Sequence, residues 1–320
     1  MTSPPPSDLD RLSIERATRR LHELCRKGAF QEMLRVTEDA RGEVPFAAAW
    51  NAQWEAVALC GLGRERDAVG VLNAAVEAGH AWQPNLLLAD GGLATLRSRE
   101  DFQALLRRSE TSLRTQEAEL RADVAIVKAP RQSSAPPLLL LLGGGAQAPA
   151  EFAAPWLPPD ADALEAVATP TQLRTTDVPF RYFDDVERSR QDLAAALRGL
   201  DGNPFDGERV VLGGFSRGGY VALALSLDQH PVRAAAFVSS NPGFDDPAFL
   251  RGRHPAPGGR PLGWIVTGED DPLRSRGREA HTALVEAGFE VELREAPGVG
   301  HSPPPLLAEV VGDCLRRIGR

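Results

Sequence analysis

The chain has 320 residues, 42% hydrophobic and 25% charged, a balance ordinary for a globular protein and a length comfortable for two domains. Its formal net charge of −8 argues against nucleic acid or an anionic membrane as the main partner, because phosphate binding needs a basic surface. Three cysteines, Cys25, Cys60 and Cys314, form no CxxC pair and stand near no histidine ligand set, so they suggest neither a disulfide framework nor a zinc site and fit a reducing, cytoplasmic compartment.

Residues 1–7 are proline-rich and read as a disordered tail. No basic region followed by an apolar run opens the sequence, and no stretch reaches membrane-spanning length, so no membrane span is expected. From Asp8 the apolar residues Ile14, Ala17, Leu21, Leu24 and Cys25 recur at spacings of three and four, which lays one stripe along a helix. Gly28 ends it, and a second helix is expected from Phe30 to about Ala40.

The pattern Leu24-Cys25-x-x-Gly28 then returns as Leu59-Cys60-x-x-Gly63 at an offset of 35 residues. Each copy precedes a second amphipathic segment, Phe30 to Ala40 and Arg66 to Glu77. A period near 34 with helix, turn, helix in each unit is that of tetratricopeptide repeats. Trp54, Ala56, Leu59, Gly61-Leu62-Gly63-Arg64 and Ala68 resemble that repeat's pattern, and the first unit is degenerate. Residues 81–121, with Leu86-Leu87-Leu88, Leu96 and Phe102-x-x-Leu105-Leu106, read as capping helices that cover the exposed face of a short solenoid. This front, residues 8–121, is expected either to bind a protein partner in a groove, to pack as a plain helical extension, or to wall the substrate entrance. Trp50, Trp54 and Trp82 belong to its core or groove.

Beyond about Arg121 short apolar runs alternate with glycine, proline and helical segments, which predicts an α/β domain over 122–320 with a mostly parallel sheet of about seven strands flanked by helices. Strands are expected at 125–127, 138–142, 164–167, 210–212, 234–238, 263–267 and 289–294. The five-leucine run Leu138 to Leu142 suits a central strand buried on both faces. The alternation of Phe289, Val291 and Leu293 with charged residues suits an edge. Helices are expected around Val186 to Leu200, Tyr220 to Leu227 and Leu306 to Ile318.

Chemistry concentrates at Arg209-Val-Val-Leu-Gly-Gly-Phe-Ser-Arg-Gly-Gly-Tyr220, an apolar strand running through Gly214-Phe215-Ser216-Arg217-Gly218 into helix-forming sequence. A serine on a strained strand-to-helix turn needs near neighbours without side chains, and this stretch supplies them. Serine also needs a base, a carboxylate to orient that base and donors for the developing oxyanion. Downstream, one strand ends in Gly268-Glu269-Asp270-Asp271-Pro272 and the last in Pro297-Gly298-Val299-Gly300-His301. Both loops lie at strand C-termini, where an open parallel sheet places its ligand site.

On these motifs residues 122–320 resemble the α/β-hydrolase superfamily, and within it the lidless serine esterases of the phospholipase/carboxylesterase type. The resemblance implies Ser216 as nucleophile, His301 as general base and acid, and Asp271 as orienting carboxylate, with Asp270 the alternative. It implies an oxyanion hole formed by the backbone N–H of Gly145 or Ala146 together with that of Arg217. The family commonly has histidine before the glycine of that loop, where this chain has Gly143. The substrate would be a small-molecule carboxylic ester, with no cofactor and no metal. Trp156, Phe215, Tyr220 and Phe244 are candidates to line an acyl pocket, or else core residues. The Arg217 side chain either meets an anionic group on the substrate or faces solvent. The loop from Asn241 to Arg260 is the candidate flap.

Two other readings stand beside this one. Gly143-Gly144-Gly145-Ala146-Gln147-Ala148 fits a loose dinucleotide fingerprint, with Glu165 at the distance of a ribose ligand but at the start of its strand. A protein-binding scaffold with an inactive hydrolase fold would use the same helical front. His22, His80, His230, His254 and His281 read as surface or capping residues.

Overall fold

The computed structural model describes residues 8–43, 47–143, 148–177, 181–244, 247–250 and 260–319. They fall into two compact units, the first built from residues up to Leu120 together with Leu173–Phe180, the second from Arg121–Gln172 and Arg181–Arg320.

The first unit is helical: α1 (Asp8–Arg26), α2 (Phe30–Glu43), α3 (Ala48–Gly61), α4 (Glu65–Glu77), the short α5 (Pro84–Ala89), a 3-10 turn (Gly91–Leu96) and α6 (Glu100–Glu117). Leu21, Leu24, Met33, Ala56, Leu72 and Phe102 meet in one core, with the alanines letting neighbouring helices approach closely. Gly28 and Gly63 both take positive φ, +68° and +71°, and the turns around them make matching bonds. Gly28 N–H donates to Cys25 C=O and Ala29 N–H to Leu24 C=O; Gly63 N–H donates to Cys60 C=O and Arg64 N–H to Leu59 C=O. These pairs satisfy the carbonyls that a helix end leaves open.

Residues 173–177 enter this unit from far along the chain. Leu173 N–H donates to Glu117 (2.8 Å), Trp50 N–H to Asp177 (3.0 Å) and Ala81 N–H to the Thr176 hydroxyl (2.8 Å). Asp177 also lies 2.8 Å from His80 Nδ1, and burial pushes its carboxyl above the usual carboxylate range.

The second unit holds one seven-stranded sheet in the order β1-β3-β2-β4-β5-β6-β7, from β1 (Asp123–Lys128), β2 (Leu138–Leu142), β3 (Leu164–Thr169), β4 (Val210–Phe215), β5 (Ala234–Ser240), β6 (Leu262–Gly268) and β7 (Val291–Ala296). Only the edge pairing of β1 with β3 is antiparallel among these strands. The helices are α7 (Pro149–Ala153), α8 (Val186–Arg198), α9 (Arg217–Asp228), α10 (Arg274–Glu286) and α11 (Leu307–Ile318).

The leucine strand shows why both faces are covered. Leu138, Leu140 and Leu142 join the core under α8 and α9, while Leu139 and Leu141 join the core with Trp156 and α11. Successive side chains of a strand point to opposite faces, so a central strand covered on both must be apolar throughout. Leu223 of α9 and Ala280 and Leu284 of α10 share a further core with Phe237 and Ile265.

The last strand begins at Val291, two residues later than the sequence pattern predicts. Phe289 N–H instead donates to Leu284 C=O at the end of α10, and its ring enters the core beside that helix. The chain leaves β2 toward β3 on one side and reaches β4 on the other. The strand order thus reverses between β2 and β4, where the carboxyl ends of an open sheet leave a crevice.

Candidate active site

Ser216 stands directly after β4 and serves as the N-cap of α9, at φ 54° and ψ −120°. A non-glycine residue with positive φ stores strain that its surroundings must hold. Here Ser216 N–H donates to Ser240 C=O at the end of β5 (2.9 Å), and Ser216 C=O accepts from Tyr220 (3.1 Å) and Gly243 (3.0 Å). The turn is tight enough that a Cβ on Gly214 would lie 2.3 Å from the Gly218 carbonyl oxygen, and one on Gly218 would lie 2.8 Å from that of Leu142. Side chains at those two positions would push the helix off the strand.

His301 arrives from the loop after β7. Its Nε2 lies 3.0 Å from Ser216 Oγ and its Nδ1 2.9 Å from Asp271 Oδ2. An ionised carboxylate only accepts, so Nδ1 carries the proton and Nε2 is left free to accept from the serine hydroxyl. The Asp271 side chain is fully buried while that of His301 is 36% exposed. Asp271 Oδ1 accepts from Leu273 N–H (2.6 Å), which fixes the carboxyl plane. Asp270 is exposed, and Asp271 is the carboxylate that meets the imidazole.

The two loops are pressed together. Asp270 N–H donates to Val299 C=O (3.0 Å) and Glu269 N–H to Ala296 C=O (2.9 Å). A Cβ on Gly268 would fall 2.0 Å from the Val299 carbonyl oxygen, so only glycine fits that crossing. Behind it Glu295 binds both Arg274 (2.8 Å) and Arg278 (2.9 Å). Their guanidinium groups hold the Glu295 carboxyl down at about 2.

The remaining expected site residues are placed differently. Arg217 follows the serine, and its half-buried side chain is tied to the protein: the guanidinium bonds Asp184 and donates to Gly243 C=O (2.9 Å), over the Tyr220 ring. Neither Asp184 nor Gly243 carries a local signal in the sequence that would single it out. The Phe215 ring lies 5.0 Å from the His301 ring. Tyr220 and Phe244 pack with Phe249 in an aromatic cluster, Phe244 being fully buried. Trp156 is also fully buried, stacked on Phe152 and against Gly213 in the α11 core. It is a packing residue there, because a strand glycine leaves a hole that the indole fills. Gly145 and Ala146 lie outside the described residues, as do 245–246 and 251–259 of the expected flap. Glu165, the ribose candidate, is buried and paired with Lys128 (3.1 Å). No cluster of metal-ligating side chains occurs among the described residues, and no described helix is long and apolar enough to cross a membrane.

No family model and no curated protein matches this sequence. Solved structures do. An esterase named PE8 aligns at 18% identity with a TM-score of 0.51, over 62% of this chain and all of its own. An uncharacterized protein from Bacillus cereus aligns at 18% identity and TM-score 0.48, over 95% of this chain and 97% of its own. SOBER1 of Arabidopsis thaliana aligns at 18% and 0.47, over 57% and 98%. At such identity the first of these likenesses speaks for the fold, an α/β sheet flanked by helices as in that esterase.

Proposed function

We propose that the protein is a serine hydrolase that cleaves a carboxylic ester of small or medium acyl size through an acyl-enzyme on Ser216. The observation that carries this reading is the continuous hydrogen-bonded line from Ser216 Oγ through His301 to Asp271. His301 Nε2 takes the hydroxyl proton as Oγ attacks the ester carbonyl, and Asp271 holds the resulting imidazolium in place. Charge then grows on the former carbonyl oxygen. Arg217 N–H, at the start of α9, is one donor for it, and Gly145 or Ala146 N–H is the proposed second. The same imidazolium gives its proton to the leaving alcohol, and the acyl group stays on Oγ. A water that His301 deprotonates then releases the acid and restores the serine.

A fluorophosphonate probe tests the reading. Wild type should label once at Ser216, and p-nitrophenyl esters of graded chain length should reveal the acyl preference. A wild type that neither labels nor cleaves any of them would overturn it.

The helical unit supports a second, compatible reading. The turns at Gly28 and Gly63 make matching bonds at the offset of the sequence repeat, which supports a tetratricopeptide-like front over residues 8–121 that binds a protein partner. A pull-down that separates variants of Trp54 and Leu62 from wild type, with esterase activity unchanged, would support it. The cysteine usage is consistent with work in the cytoplasm.

A further inference from the structure

Asp271 and His301 come from different strands, so their 2.9 Å contact depends on whatever fixes one loop against the other. A third loop does this. Asn241, the first residue after β5, is fully buried and holds φ at +46°, a conformation asparagine tolerates better than most residues. Its N–H donates to Val266 C=O in β6 (2.8 Å). Its side chain spans the two functional loops: Oδ1 accepts from Gly268 N–H (3.0 Å), three residues before Asp271, and Nδ2 donates to Ser302 C=O (3.1 Å), next to His301. Only a group with an acceptor and a donor on one planar carbon can satisfy both partners, since one is an N–H and the other a carbonyl. The same loop continues to Gly243, where a Cβ would lie 3.2 Å from Ser216 Oγ. One segment therefore touches the loops of all three reacting groups.

We infer that Asn241 is a positioning residue: its carboxamide sets the distance between the Asp271 and His301 loops and thereby keeps the imidazole in line with Ser216. The inference rests on the hydrolase reading for its effect on turnover. Its geometric content stands apart from it.

Asn241→Gly is the sharper variant, because glycine keeps the positive φ and deletes both amide bonds. Asn241→Asp keeps the acceptor for Gly268 N–H and sets a carboxylate oxygen against Ser302 C=O, so it breaks the histidine half alone. Both should lower kcat, the glycine variant by about a hundredfold as expected for a displacement near 1 Å, with KM unchanged. In proton NMR the low-field ring N–H of His301, assigned by its loss in His301→Ala, should broaden or move in both variants. Measurements run below each variant's melting temperature separate this from unfolding. Wild-type kcat and an unmoved His301 signal in folded Asn241→Gly would overturn the inference, even if its Tm falls. If wild type fails to label with fluorophosphonate, the hydrolase reading falls. The NMR signal alone then decides whether Asn241 sets the contact.

Discussion

The turns after Leu24 and Leu59 make matching backbone bonds 35 residues apart, whereas the three loops that carry Ser216, Asp271 and His301 are each held by different partners. Ser216 is pinned by β5 and Gly243, Asp271 by Leu273 N–H, and His301 by Asp271 and by the loop that Asn241 ties down. In the helical unit these bonds join residues three to five apart, so a short motif suffices to specify a turn. In the α/β unit the decisive bonds join residues 30 and 85 apart, and no motif can contain them. At these two turns order is local and repeated; at the three site loops it is unique and depends on the sheet being complete.

Substitutions can break this contrast in graded steps. The largest effect belongs to Ser216→Ala, which should lower ester turnover about a millionfold and abolish fluorophosphonate labelling. Retention of more than a few per cent of activity would assign the nucleophile elsewhere. Next comes Asp271→Asn, expected to cost about ten-thousandfold in kcat by leaving the imidazole in the wrong tautomer. The neighbouring Asp270→Asn should stay near wild type, and equal losses at the two positions would refute the assignment of the acid.

Two glycines then set the regions against each other. Gly268→Ala forces a Cβ to 2.0 Å from a backbone oxygen, and Gly61→Ala forces one to 2.4 Å from the Phe30 ring. Gly268→Ala should impair kcat as well as Tm, because the strain falls between the acid and base loops. Gly61→Ala should cost about 1–3 kcal/mol of stability by overpacking and leave kcat at its wild-type value below the melting transition. A kcat defect in folded Gly61→Ala would show that the contrast is too sharply drawn.

The smallest effect is at Glu295. Its folded carboxyl sits at about 2 against an ordinary 4.5, through its bonds to Arg274 and then Arg278. A lowered carboxyl stabilises the fold above its unfolded value and loses that contribution as pH falls through the folded one. Glu295→Gln should therefore be slightly less stable than wild type at neutral pH, by about 1 kcal/mol after solvent screening, as read by denaturant unfolding. The gap should close as pH drops from 4.5 toward 2. A gap that widens on acidification would contradict the ion-pair account.

Much of the α/β unit is legible along the chain. The strands from β1 to β6 carry apolar runs, β7 an alternation of apolar and charged residues, and the all-leucine β2 is readable as central because both faces must be dry. Less legible are places where one residue serves two elements. Phe289 continues the alternation of a strand, yet its N–H closes α10 and its ring enters the core beside that helix. Trp156 is near the site loops in sequence and fills the space over Gly213 instead. Residues 173–177 lie between β3 and α8, and nothing in their composition shows that their bonds go to Trp50, Ala81 and Glu117.

By itself the sequence determined the alternating α/β texture, the glycine-flanked serine turn, and the order in which serine, acid and histidine follow one another. Periodicity reports which faces are buried, and that is a property of neighbours in the chain. Only the tertiary structure decided that Asp271 rather than Asp270 faces His301, that Arg217 is held by Asp184, and that Asn241 bridges two loops. Those outcomes depend on parallel strands bringing their carboxyl ends into register, so that side chains remote in sequence come within hydrogen-bond reach.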